Sequence, residues 1–108
     1  MFHANVFDFP NIDRTKVRPQ HFVEVVPSVG NPIKAAGAIY HDDARTQFAG
    51  SWFQLELESK EEVIEFLKKD IYCTEGIWDI STVAIYPIGV AVRLPKKMEG
   101  TDEKLYNV

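Results

Sequence analysis

Hydrophobic and polar positions change their spacing several times along this chain of 108 residues. From Phe2 to Phe9, Phe2, Ala4 and Val6 alternate with His3, Asn5, Phe7 and Phe9, which predicts a strand buried on both faces or nearly so. Pro10-Asn11 ends it, and Asp13 is placed to cap the next segment. Between Arg14 and Val29, the apolar residues Phe22, Val25, Val26 and Val29 recur at i, i+3, i+4 and i+7, one face of a helix. Pro19 suits a first turn, whereas Pro27 removes a backbone donor, so the helix is expected to kink or to start late. Gly30-Asn31-Pro32 stops it.

Ile33 to His41 has strand character with small residues at its centre, and His41 to Arg45 is a polar loop. Gly50 to Glu58 alternates cleanly: Ser51, Phe53, Leu55 and Leu57 on one side, Trp52, Gln54, Glu56 and Glu58 on the other. Ser59 followed by Glu62 forms a capping box. The helix it opens carries Val63, Ile64, Phe66, Leu67 and Ile71 on its apolar face and is expected to end at Asp70. Ile80 to Arg93, interrupted at Pro87, supplies one long strand or two short ones. Residues 1–95 are thus expected to form one domain, with 96–108 as a polar tail.

The order β-α-β-β-α-β predicts an α+β, ferredoxin-like fold: a four-stranded antiparallel sheet with both helices on one face. Such a sheet leaves Trp52, Tyr40 or Tyr86 and the aromatics of the first strand on the uncovered face. A monomer of this size rarely exposes that much apolar surface, so a homodimer packed sheet against sheet, a dimeric α/β barrel, is expected.

Composition narrows the function. Twelve Lys and Arg against sixteen Asp and Glu give a net charge of −4, which argues against a nucleic-acid partner. The longest uncharged stretch, Ile80 to Val92, is too short to span a bilayer. No secretion signal is apparent at Met1 to Asn5, so a cytoplasmic protein is expected. The single cysteine, Cys73, excludes an intrachain disulfide and a multi-cysteine metal site. His41-Asp42-Asp43 is turn chemistry rather than a metal site, and no cofactor is called for.

Several short runs resemble the YciI-related (YCII) domain family. They are Arg18-Pro-Gln-His21, Ala36-Gly37-Ala38, Gly50-Ser51, and Lys68-Lys-Asp70-Ile-Tyr72 followed by Gly76-Ile-Trp-Asp79. The family pattern is Arg-x-x-His, Ala-Gly, Gly-Ser, then Asp-Pro-Tyr with a glycine four residues on. The chain departs from it with Ile71 in place of the proline and a short loop before the third strand. The resemblance implies a dimeric α+β barrel, related in fold to muconolactone isomerases and antibiotic-type monooxygenases, and a pocket holding a His-Asp pair.

On that basis His21 and Asp70 are the candidate catalytic pair, with Arg18, Ser51, Tyr72 and Gly37 as candidate substrate-binding residues. A histidine at the edge of an apolar helix face can exchange protons near neutral pH, or simply bond a backbone carbonyl. Asp70, read as a carboxylate against a helix C-terminus, needs a compensating cation such as His21 or Arg18. Arg18 either clamps a carboxylate bidentately or pairs with Glu24 or Asp70. Ser51 suits a hydrogen bond to a ligand, Tyr72 lines the pocket or closes a helix end, and Gly37 is a packing glycine or a ligand contact. Two functions are compatible with this inventory: proton transfer of the isomerase or lyase type on a small organic, anionic or cyclic molecule, or a non-catalytic dimer that binds a metabolite or serves a stress or regulatory role with the same pocket.

Overall fold

The computed structural model describes residues 1–94. The expected tail, 96–108, and residue 95 lie outside the described residues. Four strands, β1 (Phe2–Asp8), β2 (Ile33–Tyr40), β3 (Phe48–Leu55) and β4 (Trp78–Pro87), form one sheet in the order β2-β3-β1-β4. Every neighbouring pair is antiparallel. The helices are α1 (Arg18–Val25), α2 (Lys60–Lys68) and the single turn α3 (Ile71–Thr74). Each βαβ crossover is split by one inserted strand, so the ferredoxin-like α+β fold expected from the sequence is the fold observed.

The core forms where the helices meet the sheet. Ala4 and Val6 of β1, Phe53 and Leu55 of β3, and Val63 and Leu67 of α2 are completely or almost completely buried, together with Tyr72 and Trp78. The i, i+4 spacing of Val63 and Leu67 gives α2 its inward stripe, and the period-two spacing of Ala4 and Val6 gives β1 its inward row. The opposite side of β1 is not closed off: Phe7 is 40% exposed, against the expectation of burial on both faces.

The helical run from Arg14 to Val29 breaks into three pieces. A 3-10 turn at Arg14–Lys16, capped by Asp13, precedes α1, and a second 3-10 turn at Val26–Ser28 follows it. Pro19 sits in the first turn of α1, where its missing N–H costs nothing, and Pro27 lies in the second 3-10 turn, beyond the last regular helical residue. β3 begins at Phe48, so Gly50 and Ser51 are inside it, and β4 runs from Trp78 to Pro87 with a shift in its register against β1 between Asp79 and Ala84. Gly50 has no room for a side chain, since a Cβ would strike the Val6 carbonyl oxygen across the β1–β3 ladder.

Ser59 caps α2 as expected, its hydroxyl accepting from the Glu62 N–H at 3.2 Å. The reciprocal bond goes one residue further back, from the Glu58 N–H to the Glu62 carboxylate at 2.9 Å. Ser59→Ala is expected to lower stability by about 1 kcal/mol; a urea midpoint equal to that of the parent would show that this cap contributes nothing.

Candidate active site

Asp70 does not end α2. That helix stops at Lys68, and Asp70, with extended backbone angles, is the N-cap of α3, its Oδ1 accepting from the Tyr72 N–H at 2.9 Å. The carboxylate thus sits at a helix start, with the local dipole rather than against it. After the break, Tyr72 of α3 is part of the core, only 2% exposed.

With Oδ1 occupied by the cap, Asp70 Oδ2 is turned to His21, 2.9 Å from Nε2. The two residues come from α1 and the start of α3, and their side chains are 11% and 8% exposed. An ionised carboxylate only accepts, so the proton of a neutral imidazole belongs on Nε2 and its lone pair on Nδ1. Nδ1 is buried and has no hydrogen-bond partner among the described residues. A buried polar atom without a partner costs about 1–3 kcal/mol, which makes Nδ1 the atom of this cluster whose hydrogen-bonding capacity is left over. Chemically, the pair can take up a proton at Nδ1 and hold the resulting imidazolium against Asp70.

Aromatic rings fix the imidazole. It stacks on Tyr72, centroids 3.9 Å apart and planes 13° from parallel, and meets Trp78 edge-on at 6.5 Å. Burial pushes the Tyr72 phenol above its usual range, while the positive charges of Arg14 and Arg18 pull it partly back, so the ring stays neutral at physiological pH.

Arg14 is the residue that pattern and motif do not single out. It is buried, 4% exposed, and forms a two-pronged pair with Asp8 at the end of β1, Nε–Oδ2 2.9 Å and Nη2–Oδ1 2.6 Å. The same Nη2 donates to Ser51 Oγ at 3.0 Å, and its Cζ lies 4.6 Å from the Tyr72 ring centre. Ser51 Oγ also accepts from the Trp78 indole N–H at 3.2 Å, so both of its lone pairs are engaged within this network.

Of the sequence candidates, the structure brings His21, Asp70 and Tyr72 into direct contact. Ser51 joins them through Arg14. Arg18 lies one helical turn before His21, its Cζ over Phe22 at 4.6 Å and Phe48 at 5.3 Å. It forms no ion pair with Glu24 or Asp70. Gly37 is elsewhere. It pairs with Trp52 on the helix-free face of the sheet, where a Cβ would fall 2.7 Å from the indole nitrogen, so it is a packing glycine and does not border His21. Among the described residues no cluster of His, Cys, Asp or Glu could hold a metal ion, and no helix is long and apolar enough to cross a membrane.

No family model matches the chain. It is 32% identical to the aspercryptin biosynthesis cluster protein B of Emericella nidulans over 83% of its own length and 64% of that protein. It is 40% identical to fusaric acid biosynthesis protein 2 of Gibberella fujikuroi, over 35% of this chain and 36% of the relative. An aspartate kinase of Fusarium oxysporum f. sp. lycopersici matches at 32% identity over 56% of this chain and 11% of the kinase. The chain therefore spans less than two thirds of the length of each of these curated relatives. Among solved structures, 5-chloro-2-hydroxyhydroquinone dehydrochlorinase from Burkholderia phenoliruptrix, in complex with 2,5-dihydroxybenzoquinone, superposes with a TM-score of 0.62 at 18% identity, over 82% of this chain and 94% of that one. The chain thus shares its fold with that dehydrochlorinase, and part of its sequence with proteins of fungal biosynthesis.

Proposed function

We propose that this chain is a small YciI-like enzyme of the cytoplasm that moves a proton on a small organic molecule, in an isomerisation or an elimination, with His21 Nδ1 as the acid-base atom and Asp70 as its orienter. One observation carries this reading: a buried imidazole whose Nε2 is held by a carboxylate and whose Nδ1 has no partner among the described residues. In an isomerisation Nδ1 takes a proton from one carbon or oxygen of the substrate and returns it to another. In an elimination it takes the proton while the leaving group departs with its bonding electrons. Neither step consumes an oxidant or a reductant. The dehydrochlorinase, named for an elimination, supports the reading by its shared fold, and the names of the fungal relatives support a biosynthetic setting.

Solvent exchange tests it across a range of candidate substrates. In D2O the protein is expected to catalyse deuterium incorporation at acidic C–H positions of some members of a panel of enols, hydroxyquinones and β-dicarbonyl acids, followed by proton NMR. No incorporation above the buffer rate for any of them would contradict it.

The active unit in this proposal is a homodimer, the second copy covering the helix-free face. Phe7 and Tyr86 there are 40% and 54% exposed, and the same face carries Trp52 beside Gly37. The dimer is expected to bury about 1,200 Å² or more in total. Sedimentation equilibrium should return twice the chain mass at micromolar concentration, and a pure monomer would refute the dimer.

A further inference from the structure

We propose that Arg18 selects the substrate, and that the substrate is a planar organic anion whose carboxylate, or equivalent pair of charged oxygens, is held by the Arg18 guanidinium. This rests on the proton-transfer reading of the His21 site and adds to it the charge and shape of the ligand. Four charged side chains act electrostatically on Tyr72: Asp8, Arg14, Asp70 and Arg18. Three are engaged. Arg14 is closed by two bonds to Asp8 and one to Ser51, and both Asp70 oxygens are taken by the His21 imidazole and the Tyr72 N–H.

Arg18 alone of the four has no hydrogen bond and no carboxylate partner among the described residues. It is half-buried at the first position of α1, and its guanidinium stands over the Phe22 and Phe48 rings. With no hydrogen bond among the described residues, its N–H groups are free to grip two oxygens side by side. Being three residues before His21, it lies on the same side of α1 as that residue. The Phe22 and Phe48 rings beside the guanidinium suit a flat, conjugated body better than a flexible aliphatic one.

The test uses benzoate and its uncharged counterpart benzamide as probes, titrated calorimetrically into the full chain. Benzoate is expected to bind at least about tenfold more tightly than benzamide, and its affinity to fall as NaCl is raised. Arg18→Gln should abolish the preference for benzoate, and Arg18→Lys should keep part of it, with circular dichroism melts confirming that both variants fold. His21→Gln should retain the preference, so that loss of the proton-transfer reading and loss of this one give different results. Equal binding of the two probes, binding of neither, or a preference that survives Arg18→Gln would overturn the proposal.

Discussion

Arg14→Leu is expected to lower the unfolding free energy by about 3–5 kcal/mol, the range found when one partner of a buried ion pair is removed. The size of the loss comes from the groups left behind. Asp8, with its side chain 6% exposed, would keep its charge in the interior without the two guanidinium bonds that now satisfy it. Ser51 would lose one of its two donors, and Tyr72 its neighbouring cation. For a domain of this size, whose whole stability is about 5–15 kcal/mol, such a loss is severe. Combining Arg14→Leu with Asp8→Asn should recover a large part of it, because the double variant no longer buries a lone charge. Urea denaturation of the single and double variants checks both statements. A single-variant loss below about 1 kcal/mol, the range of exposed ion pairs, would show that this network is not buried in solution.

His21→Gln is expected to reduce catalysed exchange by about 100- to 10,000-fold, the usual contribution of a positioned acid-base group, while the protein stays folded. The fold does not depend on the imidazole in the way it depends on Arg14: a neutral amide of comparable length can still bond Asp70. Asp70→Asn separates orientation from chemistry. Asparagine is also a good N-cap, so α3 should persist, but its amide can present either an acceptor or a donor to Nε2. Exchange should therefore fall to a level between the parent and His21→Gln. If Asp70→Asn exchanged at the parent rate, the carboxylate would have no part in orienting the ring.

Interactions are legible in the sequence when they leave a periodic trace. The alternation of Ser51, Phe53 and Leu55, and the Ser59 cap with Val63 and Leu67 behind it, are local patterns; α2 starts where its cap puts it, while β3 runs from Phe48 to Leu55 and ends three residues before the expected Glu58. The same periodicity misplaces the end of α2. Ile71 stands four residues after Leu67, as though the helical stripe continued, yet it is the first residue of α3 behind the Asp70 cap. A proline at position 71 would mark such a break, since proline favours the first position of a helix, but this chain carries Ile71 there and gives no such signal. The Asp8–Arg14 pair leaves no such trace. It bridges a strand end and a 3-10 turn across the loop at Pro10-Asn11, where Asn11 turns the chain with φ 61°, and no spacing rule connects the two. Ser51 reaches Arg14 across 37 positions of sequence, a contact only the folded sheet creates. His21 and Asp70 are legible through the motif, although the cap reverses the dipole argument for pairing them.

The protonation pattern of His21 is the most direct probe of the proposed chemistry. Nitrogen-15 NMR of the histidine-labelled protein, at a pH where the His21 ring is neutral, distinguishes a protonated ring nitrogen from one carrying a free lone pair. The proton should be found on Nε2, facing Asp70, with Nδ1 unprotonated and shifting when a ligand is added. A His21 ring carrying its proton on Nδ1, or an Nδ1 signal indifferent to every bound ligand, would contradict the assignment of Nδ1 as the atom that moves the substrate's proton.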